Sequence, residues 1–116
     1  MKIIDAKTGK VLLKRVRVAN SPAIRLRGLI GTNALADDEG MFFPDCRMIH
    51  TFFMSMAIDV IFLDHSGMAL DIFPALQPWR TAFCRKIGGK NTLELASDSA
   101  AKLGIKTGDC LTLEFV

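Results

Sequence analysis

The sequence predicts a mainly β protein, a single small antiparallel β-barrel or sandwich carrying two short helices. Three observations lead there. β-Branched and aromatic residues are concentrated between Gly40 and Phe73, in runs such as IDVIFL at 58–63. Apolar and polar residues alternate with period two near both ends of the chain, in VLLKRVRVA at 11–19 and CLTLEFV at 110–116. Turn residues recur at short intervals between these runs, leaving room for about seven short strands.

Ile3 to Ala6, a turn at Thr8-Gly9-Lys10, and the run Val11 to Ala19 read as a hairpin. In its second arm Leu12, Val16 and Val18 share one face with Lys14, while Arg15 and Arg17 share the other with Leu13. Ser21-Pro22 supplies an N-cap and an N1 proline, and Gly31 a stop, so a short helix is expected over 22–30. A polar loop at 32–38 leads to a buried strand at 40–43, ended by Pro44. Strands are expected at 47–54 and 58–63. Asp64-His65-Ser66-Gly67 then turns the chain into Met68 to Phe73, bounded by Pro74. Residues 74–91 read as loop. Thr92 to Ala96 forms a strand, Ser97-Asp98 caps a helical turn closed by Gly104, and Gly108-Asp109 leads into the last strand.

With 116 residues the chain suits one domain, spanning 1–116. Size scaling gives a folded surface of about 6,300 Å², with roughly two-thirds of the unfolded surface buried. Half the residues are hydrophobic and 23% are charged, a balance that excludes disordered and collagen-like classes. The longest apolar stretch, 51–63, is interrupted by Asp59 and is too short to span a bilayer. The first ten residues contain no apolar leader segment. Cys46, Cys84 and Cys110 form no CxxC pair and read as reduced thiols, which points to a cytoplasmic setting. The net charge of +3 hides an asymmetry: +7 over residues 1–35 against −4 over the remainder. That basic third could meet nucleic acid or an anionic surface. It holds no aromatic residue, however, since every Phe and the single Trp lie at or beyond position 42, so bases have no stacking platform there.

No GxSxG, Walker-type loop, HExxH or GxGxxG occurs, and no cofactor is expected. His65 sits in a turn beside Asp64. His50 lies inside the apolar run IHTFFM. If 46–50 is extended, Cys46, Met48 and His50 fall on one face. Thiolate, thioether and imidazole together suit a soft ion such as Cu(I), although a Cys/Met strand face also serves as ordinary packing. Asp59 stands in the otherwise apolar IDVIFL, so its carboxylate must be hydrogen-bonded or paired, with Arg27 and loop amides as partners. It could instead face His50 as an acid/base pair. Glu39 is similar but less enclosed, and Arg27, Glu39 and Asp59 together could form an internal charge network. Phe52, Phe53, Pro78, Trp79 and Arg80 form a candidate binding surface, as aromatic and arginine side chains dominate interface hot spots.

Several of these motifs occur together in a known pattern. Arg27-Gly28-Leu29, Glu39-Gly40-Met41-Phe42, Phe52-Phe53-Met54 followed by Ile58-Asp59-Val60-Ile61-Phe62, then Ser66-Gly67, Pro78-Trp79-Arg80, Leu93-Glu94-Leu95 and Gly104-Ile105-Lys106-Thr107-Gly108-Asp109 make up the set. In order and spacing they resemble the prokaryotic family called domain of unknown function 192, over residues 16–113. The resemblance implies a compact β-rich barrel or sandwich and no established activity. Phe53 stands before Met54 where that family commonly has Trp, and Ser97-Asp98 replaces a usual Ala-Gly.

The functional expectation is a non-catalytic β-module that binds a protein partner or a small ligand. Two alternatives accompany it: a small enzyme using His50 with Asp59 in a cleft, and weak nucleic-acid or anionic-surface binding by the basic third.

Overall fold

A computed structural model describes residues 1–27, 29–30 and 34–115, the side chains of 22, 26 and 27 excepted. Gly28, Gly31 and the start of the polar loop lie outside the described residues. In chain order the elements are β1 (Lys2–Asp5), β2 (Val11–Leu13), β3 (Arg15–Val18), α1 (Pro22–Arg27), β4 (Glu39–Phe43) and β5 (Met48–His50). There follow β6 (Ile58–Leu63), β7 (Ala69–Leu76), β8 (Thr81–Phe83), β9 (Asn91–Ala96), α2 (Ser99–Leu103) and β10 (Leu111–Glu114). The accessible surface, 6507 Å², is close to the value expected from size.

A five-stranded sheet in the order β3-β4-β9-β6-β7 divides the protein. Period two sends alternate side chains to its two faces. On one face Phe42, Ile61, Leu63, Leu93 and Leu95 pack against residues such as Ile3, Leu13 and Leu111 of the three-stranded sheet β10-β1-β2. On the other, Met41, Phe43, Ile58, Val60 and Phe62 pack against Ile49, Ala82 and Cys84, on and beside the two-stranded ribbon β5-β8. Covered on both sides, β6 is buried along its whole length, which is why IDVIFL reads as a continuous apolar run rather than an alternation. The mainly β, sandwich-like class with two short helices stands, without closure into a barrel.

The structure departs from the predicted elements at four places. Val11 to Ala19 is two strands, because the chain changes sheets at Lys14; the amides of Lys14 and Arg15 both donate to Asp38 O, each at 3.0 Å. The strand β3 then runs parallel to β4, with α1 between them; Ser21 Oγ caps this helix by accepting from Ile24 N–H at 3.2 Å. Pro74 does not end β7, which continues to Leu76. This strand is at the sheet edge, where a residue without an N–H is tolerated. The strand expected over 47–54 stops at His50, since Thr51 leads into a turn that holds Phe53 at φ 64°. Finally, β8 forms inside the stretch read as loop. No helix among the described residues is long and apolar enough to cross a membrane.

Gly67, in the turn between β6 and β7, shows how closely the central sheet meets the β10-β1-β2 sheet. Its φ is +92°, and a Cβ there would lie 2.2 Å from the backbone oxygen of Leu111. Gly108 has an almost identical φ, +93°, but open space around it. Gly67→Ala is therefore expected to cost at least about 2 kcal/mol in urea unfolding, and Gly108→Ala only about 1 kcal/mol. Equal losses would show that backbone strain alone, not the contact with β10, sets the requirement.

Candidate functional site

Four acidic or imidazole side chains interrupt apolar strands: His50 in β5, Asp59 in β6, Asp71 in β7, which pairs with Arg85 (Nη2 to Oδ1 2.6 Å), and Glu94 in β9. The fold treats each differently. Asp59, 0% exposed, lies on the same face as Leu95, its cross-strand partner. Between the pairs Val60–Phe73 and Ile58–Leu76, the residues Pro74 and Ala75 form a bulge opposite Asp59. Ala75 N–H donates to Asp59 Oδ1 at 2.8 Å, Asp98 N–H to the same oxygen at 2.9 Å, and Ala100 N–H to Oδ2 at 2.9 Å. Asp98, at the N-cap of α2, makes no side-chain capping bond. The cap is supplied instead from the sheet, by a carboxylate 39 residues earlier in the chain.

Glu94 points to the opposite face. Its Cα neighbours across the ladder are Met41 of β4 and Val60 of β6, so the carboxyl is flanked by apolar side chains. It is 4% exposed and makes no hydrogen bond or ion pair with any described residue. Burial pushes the Glu94 carboxyl up to about 8, so it is mainly neutral at pH 7. It opens into a cavity of about 190 Å³ between the central sheet and the β5–β8 ribbon. Leu29, Ile30, Phe43, Ile49 and Met54 give the cavity apolar walls; Arg25, Cys46, Met48 and His50 complete its lining.

The cavity thus gathers the three residues singled out by period-two spacing, Cys46, Met48 and His50. Cys46 Sγ donates to Met48 O at 3.1 Å. No group of three His, Cys, Asp or Glu side chains among the described residues is placed to hold a metal ion. His50 and Asp59 are not brought together, because His50 lines the cavity whereas Asp59 is engaged with α2 on the other side of the sheet. His50 Nδ1 accepts from Phe52 N–H at 3.2 Å.

From His50 a series of rings runs outward. His50 stacks on Phe52 at 4.9 Å, Phe52 on Trp79 at 5.8 Å, and Phe53 tilts against Trp79 at 4.7 Å. Thr51, fully buried, ties the two loops that carry them. Its Oγ1 donates to Gln77 O at 2.7 Å and accepts from Arg80 N–H at 2.9 Å. Phe53 and Trp79 remain 67% and 54% exposed. Arg80 is exposed, with Nη1 donating to Trp79 O at 3.3 Å. Glu39 lies apart, accepting from Ala36 N–H at 3.0 Å and within 3.6 Å of Arg15. The Arg27 side chain lies outside the described residues, and Asp59 is not joined to Glu39. Glu94 was not among the predicted site residues. Apart from its place in the Leu93-Glu94-Leu95 motif, its sequence signal is a glutamate between two leucines in NTLELA, which a half-exposed strand would produce equally well.

Comparison with known proteins places this geometry in context. The family model DUF192, described as uncharacterized ACR, matches residues 3–113. A UPF0127 protein of Thermococcus sibiricus is 35% identical over 111 residues, covering 92% of this chain and 71% of that protein. A solved protein of unknown function from Novosphingobium aromaticivorans superposes with a TM-score of 0.84 at 24% identity, over 97% of this chain and 84% of that one. Another, from Sinorhizobium meliloti 1021 and described as a candidate transcription regulator, gives 0.81 at 25% identity over 96% and 89%.

Two outcomes test the contrast between the carboxyls. Asp59→Ala leaves three amides without their acceptor and is expected to cost about 4 kcal/mol in urea unfolding. Asp59→Asn, which keeps Oδ1, should cost about half as much. Hydrogen exchange should accelerate at residues 75, 98 and 100 in Asp59→Ala and chiefly at 100 in Asp59→Asn; unchanged protection would sink the capping role. Glu94 has a folded value of about 8 against an unfolded 4.5. Its contribution is fully present below pH 4.5 and is lost as pH rises through 8, a total on the order of 5 kcal/mol. Glu94→Gln should remove that slope; parallel stability profiles for the two proteins would refute the assignment.

Proposed function

The chain belongs to the uncharacterized family DUF192, and from that premise we propose that it is a binding module that takes a small ligand into the cavity above Glu94. The observation that carries this reading is a buried carboxyl without a hydrogen-bonding partner among the described residues, facing open space. Leaving such a group unsatisfied opposes folding, and stability is commonly sacrificed in this way where a side chain is needed for function. The volume, about 190 Å³, is below the range of roughly 300–1,000 Å³ typical of drug-sized ligands. A fragment-sized molecule fits it.

The ring series beside the cavity supports the same reading. Phe53 and Trp79 both adopt φ 64°, a backbone conformation costly for bulky residues and concentrated at functional sites. A protein partner would meet these rings too, but it would leave Glu94 unpaired, so the small ligand is favoured. For the nucleic-acid alternative, the Sinorhizobium protein's description is set against the absence of any aromatic residue in the basic third and the ion pair of Arg15 with Asp38 at 2.9 Å. One domain and a cytoplasmic setting belong to the same proposal. Both cores share one sheet, and all three cysteines are free, as suits a reducing compartment.

A screen of neutral, cationic and anionic one-ring fragments by methyl NMR tests the proposal. Ligands should shift the methyl signals of Met48, Ile49 and Met54 while those of Leu12 and Leu111, beyond the sheet, stay in place. A screen in which no fragment moves the cavity methyls at millimolar concentration would overturn it.

A further inference from the structure

We propose that the ligand of this cavity carries a protonated amine, seated against Glu94 with its apolar body along Phe43, Ile49 and Met54. The inference rests on the reading of the cavity as a ligand site and names the chemistry that site selects.

Among the described residues, the cavity holds one unpartnered acid and no free cation to match it. Arg25 is the cation among its lining residues, and its guanidinium is engaged at the rim, with Nη1 donating to Pro44 O and Nη2 to Asp45 O at 3.3 Å. His50 is also engaged, with Nδ1 accepting from Phe52 N–H. Cys46 donates to a backbone carbonyl. An arriving anion would find Glu94 repulsive when charged. A neutral ligand would meet the protonated carboxyl as one donor and one acceptor, with no charge to pair. An ammonium supplies the opposite charge that a buried carboxylate requires, in apolar surroundings that strengthen the pair.

The outer rings favour the same charge. They begin at His50 on the cavity wall and continue through Phe52 to Trp79, and indole offers the strongest ring face for a cation. Glu94 is largely protonated before the amine arrives. Pairing then transfers the carboxyl proton to solvent, so binding near pH 7 releases close to one proton per ligand. The other titratable groups that face the cavity among the described residues are Arg25, Cys46 and His50.

Benzylamine, charged at pH 7, and benzyl alcohol, its uncharged isostere, separate the possibilities by calorimetry in two buffers of different ionisation enthalpy. Benzylamine is expected to bind about tenfold tighter than the alcohol or more and to release about one proton; Glu94→Gln should abolish that preference and the proton release. A lysine side chain presents the same ammonium as a free amine. N-acetyl-lysine methylamide distinguishes these sources: tighter binding than benzylamine assigns a protein side chain, weaker binding a free amine. Equal or tighter binding of the alcohol, or no effect of Glu94→Gln, would overturn the amine and leave the cavity reading intact. If neither one-ring compound binds, the amine inference falls, while the fragment screen decides the cavity reading separately.

Discussion

The carboxylate of Asp59 joins three parts of the chain that have no other common contact of this kind. It accepts from the bulge in β7, from the turn after β9 and from the first turn of α2. A five-residue helix has little stability of its own, and its leading amides require acceptors. By reaching up from the central sheet, Asp59 satisfies two of those amides and fixes where α2 sits. Ala100 can then enter the core beside Leu95 and Ile105. The bulge at Pro74 and Ala75 has the same origin, since a strand continuing in register would not aim Ala75 N–H at the carboxylate. One buried charge, fully hydrogen-bonded, thereby sets both an edge-strand irregularity and a helix position.

The same sheet shows what an unsatisfied polar group implies by contrast. Covering both faces of β4, β9 and β6 forces every polar residue in them to find a partner or oppose folding. Thr92 finds one, its hydroxyl donating to Cys46 O at 2.7 Å. Asp59 finds three. Glu94 has apolar neighbours on both adjoining strands and faces a cavity. Position in the sheet does not explain this difference, because Thr92 and Glu94 point to the same face of the same strand. What differs is the layer above them: the segment at Cys46 closes over Thr92, while the ribbon stands away from Glu94.

Much of this was legible in the sequence where local rules suffice. Period two and residue type located β4, β6 and β9, and the Ser21-Pro22 and Gly104 signals placed both helices. Local rules failed where tertiary context decides. Nothing in VLLKRVRVA marks Lys14 as the corner between two sheets, and Pro74 ends a strand only if that strand is internal. For Asp59 the need for hydrogen bonds could be read from its apolar neighbours, but its partners lie up to 41 residues away. For Glu94 even burial was hidden. Alternation in NTLELA describes a strand with one wet face, and only the order β4-β9-β6 reveals that the face is covered.

The aromatic rings beside the cavity follow from a further constraint. Left to packing alone, Phe53 and Trp79 would relax out of the left-handed backbone region and fold inward. Thr51 prevents that. Its amide donates to Arg80 O at 2.8 Å, and its carbonyl accepts from Met54 N–H at 3.2 Å and Trp79 N–H at 3.0 Å. Together with the hydroxyl bonds, these contacts bind both loops to one buried residue. Phe53 and Trp79 are consequently held exposed and tilted against each other by backbone hydrogen bonds rather than by burial of their own surface. Rigid rings presented in this way lose little conformational freedom when a ligand arrives, as would be required of rings beside a binding cavity.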